Sequence, residues 1–130
     1  MPAGMGPSEG EIADIVLAAA QQRRQVAPFP GLSIPAGYRV AARVRDARLA
    51  RGERVVGRKI GFTNRGIWDE YGVHAPIWGY VYDRTLHEMA EPARAADFVE
   101  PRIEPEIVFG LAAPISLGMG LAEIAAATGW

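Results

Sequence analysis

The alternation in Ile103-Glu104-Pro105-Glu106-Ile107-Val108-Phe109 constrains this chain more than any other stretch. Ile103, Pro105, Ile107 and Phe109 alternate with Glu104, Glu106 and Val108, which is the period of a β-strand. The pattern predicts a strand over about 102–110. Residues two apart on a strand share a face, so Glu104 and Glu106 project together, roughly 6.6 Å apart along the chain. Like charges this close repel unless positive charge stands near them. A hard divalent cation such as Mg²⁺ or Mn²⁺ would answer that need with oxygen ligands. An acid/base pair sharing one proton is a second reading. A solvated strand face is the third, and spacing alone favours it. Pro105 donates no ladder hydrogen bond, which points to an edge or a bulge.

The chain has 130 residues, enough for one domain with a sizeable core. An apolar content of 49% argues for an ordered globule. The net charge of −1 gives no global field favouring nucleic acid or an anionic membrane. Cysteine is absent, which excludes disulfides, thiolate nucleophiles and Cys-based metal sites. Without an apolar run of roughly 20 residues there is no candidate membrane span. No export signal is read at Met1–Gly6, so a cytoplasmic location is expected.

Residues 1–7 are expected to be a loose tail. Ser8 and Glu11 form a capping-box pattern, and Ile12, Ile15, Val16 and Ala19 make one apolar stripe, predicting a helix over about 9–25. Arg23 and Arg24 are expected in its last turn, and Pro28 and Pro30 end it. A second helix is predicted from near Pro35 to Arg51, with Val40, Val44 and Ala47 inward and the arginines largely outward. Gly52 is its stop signal. Strand character runs through Arg54–Thr63, where Gly57 and Gly61 hint at a bulge. Thr63 or Asn64 caps a short helix over Trp68–Tyr71, closed by Gly72. A strand is expected at Ile77–Tyr82, short strands and turns at 83–100, and an Ala-rich helix at 121–128. The order reads as an α+β fold, with a helical segment at 1–52 and a strand-bearing segment at 53–130.

Lys59 is the sole lysine among 14 basic residues. In a glycine-flanked strand it could bind a substrate carboxylate or serve as a proton donor, against the plain reading of an exposed strand lysine. His74 and His87 are isolated and lack metal-ligand spacing. Trp68, Trp78, Tyr80 and Tyr82 suit core or interface packing better than a ligand box.

With Lys59 and the glutamate pair in view, a family resemblance emerges. Gly57-Arg58-Lys59-Ile60-Gly61-Phe62-Thr63 resembles the G-x-K-I-G-x-T segment of the 2-keto-4-pentenoate hydratase / 2-oxo-hexenedioate decarboxylase group, within the fumarylacetoacetate hydrolase superfamily. Arg102–Phe109 is similar to that group's E-x-E strand, and Tyr71-Gly72-Val73-His74-Ala75-Pro76 also resembles it. The likeness runs from about residue 9 onward. It implies N-terminal helices followed by the first part of a mixed β-roll. It implies Mg²⁺ or Mn²⁺ held by Glu104, Glu106 and a third acidic residue further on. Lys59 would contact the substrate and assist proton transfer, and Thr63 would lie beside the substrate. The implied activity is a metal-dependent hydratase acting on a small 2-hydroxy-dienoate or 2-oxo acid in aromatic-compound catabolism, in a homo-oligomer. Two departures are visible. Ile77 stands in Pro76-Ile77-Trp78-Gly79 where many hydratases carry an acidic residue. No acidic residue after Glu106 fits the third-ligand role, because Glu123 falls on a predicted helix. A truncated sequence, a decarboxylase, or a non-catalytic assembly subunit needing a partner chain are the alternative expectations.

Overall fold

A computed structural model of the chain describes residues 6–88 and 90–130. The expected tail at 1–7 falls mostly outside the described residues. Among the described residues the architecture is α+β: helices with one two-stranded antiparallel sheet. The chain divides into two compact units, Met1–Val99 and Glu100–Trp130.

In the first unit, α1 spans Glu9–Gln22 and α2 spans Ile34–Ala50. The capping box forms as the sequence predicts. The Glu11 amide donates to Ser8 Oγ at 3.3 Å, and the Ser8 amide donates to Glu11 Oε2 at 2.8 Å. α1 ends earlier than its pattern suggests, because Arg23 adopts the left-handed conformation at the C-cap (φ 51°). Arg23 therefore leaves the last turn, and its guanidinium pairs with Asp97 at 3.0 Å. Ser33 caps α2, with its Oγ accepting from the Ala36 amide at 3.3 Å. Ile12, Ala13 and Val40 form the buried centre between the two helices, flanked by Val16, Phe29, Leu32 and Val44.

Strand β1 (Val55–Gly61) pairs antiparallel with β2 (Ile77–Tyr82). A register irregularity between Val55 and Gly57 supplies the bulge that the glycine suggested. Asp83 closes this end of the ladder. The Arg54 amide donates to its Oδ1 at 3.0 Å, Arg54 Nε to its Oδ2 at 3.1 Å, and the Asp83 amide to Arg54 O at 3.0 Å. Between the strands lie a single 3₁₀ turn (Arg65–Ile67) and α3 (Trp68–Tyr71), ended by Gly72 at φ 62°. Asn64 rather than Thr63 provides the cap, accepting from the Gly66 amide at 2.9 Å. The described residues of 83–100 form turns and two 3₁₀ segments, Asp83–Thr85 and Ala95–Asp97, with none of the expected short strands among them.

α2 lies along one face of the sheet. Tyr38 stacks on Trp78 (centroids 5.1 Å apart), and its hydroxyl accepts from the Trp78 amide at 3.2 Å. Arg45 donates to Tyr80 Oη at 2.9 Å, and the Arg48 guanidinium sits 3.7 Å from the centroid of Tyr82. These two arginines point at the sheet, whereas their sequence pattern placed them outward. Their long apolar stems cover aromatic surface while the charged heads stack on rings or pair, as Arg48 does with Glu53 at 2.6 Å.

The second unit is small. Helix α4 (Leu121–Ala127) begins at Gly120, whose amide donates to Glu123 Oε2 at 2.7 Å. A short bridge joins Leu111 to Thr128, and the Gly110 amide donates to Trp130 O at 2.8 Å. The strand predicted over 102–110 does not form a ladder: among the described residues no strand pairs with it. The alternation is present, but a strand is completed only when a neighbour takes up its N–H and C=O groups. Pro105 also offers no N–H. Ile103 remains 99% exposed and Phe109 69% exposed, so among the described residues the apolar face of the pattern covers no core.

Candidate functional site

Lys59 lies in the middle of β1, directly across the ladder from Gly79, and its position is exposed. Gly57 and Gly61 flank it on the same face, opposite Val81 and Ile77. A Cβ at Gly61 or Gly79 would meet nothing within 4 Å. The face that carries Lys59 is therefore cleared of bulk on three sides. The opposite face carries Arg58, Ile60, Trp78 and Tyr80, and there the Arg58 guanidinium lies 4.3 Å from the Tyr80 centroid. A two-residue period thus separates an aromatic side facing α2 from a side that carries Lys59, Val81, Ile77 and the glycines.

Thr63 follows β1 by two residues and is exposed. Between them, Phe62 takes a positive φ of 58°, a genuine outlier for a bulky residue. The turn is held by Trp68 Nε1, which donates to Phe62 O at 2.9 Å, and by an edge contact between Phe62 and Tyr71 (centroids 5.6 Å). Strained backbone persists only where surrounding contacts over-determine it, and this turn fixes where the chain carries Thr63 after Lys59. Nothing in the local pattern of Gly61-Phe62-Thr63 marks Phe62 for that conformation, so sequence reasoning missed it.

Glu104 and Glu106 lie in the second unit, in the irregular stretch before Gly110, and both are exposed. Nearby, Arg102 Nη2 lies 3.4 Å from Glu100 Oε2. Paired carboxylates are hard oxygen donors that suit Mg²⁺ or Mn²⁺ in kind. In number they fall short of a closed shell. No group of three or more His, Cys, Asp or Glu residues that could hold a metal ion is gathered among the described residues. His74 and His87 are exposed and sit beside acidic neighbours, His74 Nδ1 at 3.6 Å from Asp69 Oδ1 and His87 Nδ1 at 3.2 Å from Glu91 Oε2. A depression of about 300 Å³ between α1, α2 and β2 is lined by Val16, Val40, Val44, Tyr80 and Tyr82 among others; it does not include Lys59 or Thr63.

No family model matches the chain. Curated proteins do. The chain is 34% identical over 125 residues to a 2-hydroxypent-2,4-dienoate hydratase of Pseudomonas putida, covering 91% of the chain and 56% of that protein. It is 33% identical over 119 residues to a 2-hydroxyhexa-2,4-dienoate hydratase of Comamonas testosteroni, covering 86% of the chain and 45% of that protein. It is 31% identical over 101 residues to a 4-oxalocrotonate decarboxylase of Pseudomonas sp. (strain CF600), covering 77% and 38%. The chain belongs to this hydratase–decarboxylase group of the fumarylacetoacetate hydrolase superfamily, and what it matches is the group's amino-terminal part. It spans about half the length of the curated relatives it matches. No helix among the described residues is long and apolar enough to cross a membrane.

Proposed function

We propose that the chain carries the amino-terminal part of a metal-dependent hydro-lyase acting on a small 2-hydroxy-dienoate or 2-oxo acid of the 2-keto-4-pentenoate type. The observation that carries this is the placement of the sole lysine among glycines on one strand face, in a chain whose relatives are named as dienoate hydratases. Lys59 holds the substrate carboxylate and assists proton transfer, and Thr63, delivered by the Phe62 turn, lies beside the substrate. Glu104 and Glu106 supply two carboxylates to Mg²⁺ or Mn²⁺, which would act as a Lewis acid on a 2-oxo carboxylate. The β-roll of the superfamily, a homo-oligomer and a cytoplasmic location belong to the same proposal.

Titration of the chain with Mg²⁺ and oxalate, a mimic of the 2-oxo carboxylate, tests it. Glu104→Ala is expected to weaken metal-dependent oxalate binding by about tenfold or more, since loss of even a supporting partner costs that much at many metal sites. Unchanged binding removes Glu104 from the site.

The exposed alternation at Ile103, Ile107 and Phe109 favours a second reading. In it, the stretch completes a sheet with a strand from another polypeptide, and turnover needs both. Mixing the chain with an inactive variant of a full-length relative is expected to restore dienoate hydration. Turnover by the isolated chain at the relative's rate would exclude the requirement.

A further inference from the structure

Phe62 holds a backbone conformation that its own chemistry disfavours. Its φ of 58° lies in the left-handed region, where a bulky side chain crowds the backbone. A return to negative φ would turn everything that follows about the Phe62 N–Cα bond, and Thr63 is the first residue so displaced. Two side chains of α3 oppose that return. Trp68 Nε1 donates to Phe62 O at 2.9 Å, and the Tyr71 ring meets the Phe62 ring edge-on, at an interplanar angle of 86°. The oxygen held by Trp68 belongs to the planar peptide unit that joins Phe62 to Thr63. A donor fixed on that oxygen therefore fixes the line along which Thr63 leaves the turn. The donor is itself tied back to this point of the chain. Asn64 Oδ1 accepts from the Gly66 amide at 2.9 Å, the Ile67 amide donates to Asn64 O at 3.4 Å, and the Arg65 guanidinium lies 5.7 Å from the Trp68 ring centroid.

We infer that Trp68 is a positioning residue, which sets the place of the Thr63 hydroxyl through the Phe62 carbonyl. The inference rests on the placement of Thr63 beside the substrate proposed above, and adds the residue that enforces it. Trp68 acts on the substrate only through that peptide unit. Removing its N–H lets Phe62 leave the left-handed region, because a strained φ persists only while its surroundings over-determine it. The buried centre formed by Ile12, Ala13 and Val40 lies between α1 and α2 and does not depend on the indole.

The test uses the full chain and Trp68→Phe, which keeps a ring and removes the donor. At positive φ the amide hydrogen and Hα of a residue stand eclipsed, so the NOE between them in Phe62 is expected to be strong in the wild type and weak in Trp68→Phe. Thr63→Val and Trp68→Phe are each expected to weaken oxalate binding, titrated with Mg²⁺ in excess, by about threefold to tenfold, the worth of one hydrogen bond. The double variant is expected to bind no more weakly than the weaker single one, because a residue that acts through another adds nothing once the other is gone. Phe62→Asn supplies the rescue. Asparagine takes positive φ more readily than phenylalanine, so Trp68→Phe in that background is expected to leave the affinity where Phe62→Asn sets it; this pair also carries the test should Trp68→Phe alone misfold. An unchanged Phe62 NOE, losses that multiply in the double variant, or an asparagine background that loses as much as the wild type does, overturn the assignment to Trp68 and leave Thr63 in place. No oxalate binding, or binding indifferent to Thr63→Val, overturns the reading of Thr63 and this inference with it.

Discussion

At the scale of single residues, three positions matter for reasons that differ in kind. Lys59 matters by its surroundings: the residues at 57, 61 and 79, which share its face of the hairpin, are glycines. Phe62 matters by its backbone, since a bulky residue at φ 58° is sustained by the Trp68 indole and the Tyr71 ring. Gly110 matters by what it lacks. A Cβ there would fall within the Trp130 indole ring. Gly110→Ala is therefore expected to push Trp130 out and to cost the second unit about 1–3 kcal/mol, as overpacking usually does. Hydrogen exchange at the Gly110, Ala112 and Gly129 amides, which bond to Trp130 O, Ala127 O and Gly110 O, should accelerate accordingly. Protection unchanged from wild type would show that the indole is not packed there.

At the scale of elements, the helices and the hairpin are fastened at their ends by carboxylates. The Glu9 carboxyl is held below its ordinary range by hydrogen bonds from Arg39, which donates through Nε at 2.9 Å and Nη2 at 2.7 Å. Ser8 lowers Glu11 through its amide and hydroxyl. The Arg54 amide and guanidinium lower Asp83 at the mouth of the hairpin. A carboxyl whose folded pKa lies below its unfolded value contributes stability that is complete above the unfolded value and lost as pH falls through the folded one. The ordinary values are 4.5 for glutamate and 3.8 for aspartate. The melting temperature is therefore expected to hold through neutral pH and to decline below about 4.5. Because Glu11 is exposed and Glu9 and Asp83 are only half-buried, added salt should shrink the decline. A melting temperature flat down to pH ~3 would show that these contacts do not hold the ends.

At the scale of the whole molecule, the chain joins a unit with a conventional core to one with little interior. The first unit buries Ile12, Ala13 and Val40 between helices and lays α2 over the aromatic side of a sheet. The second holds together through the Gly110–Trp130 pairing and buries Ala127. It also bears Glu104 and Glu106. Their alternation is sound as a pattern, yet a pattern of period two specifies a strand only in the presence of a second strand. A helix closes its hydrogen bonds within its own segment, and a strand must close them elsewhere. That asymmetry explains which expectations the structure met. The Ser8–Glu11 capping box, the Ser33 cap, the Gly72 stop and the spans of α2, α3 and α4 were legible because their causes are local. The inward turn of Arg45 and Arg48 was not, since it depends on Tyr80 and Tyr82 arriving from about thirty-five residues further along.

The sequence by itself determined the helical segments, the β2 strand, the lone lysine, the carboxylate pair and membership of a hydratase–decarboxylase group, because each is written in spacing or in residue identity over short stretches. Only the tertiary structure decided the company each residue keeps. It set Gly79 across from Lys59 and Ile77 diagonal to it, and it turned Trp78 and Tyr80 to the other side. It left Ile103 through Phe109 without a ladder among the described residues. Register and pairing are relations between distant segments, and a one-residue slip in either would exchange the two faces of the sheet and everything displayed on them.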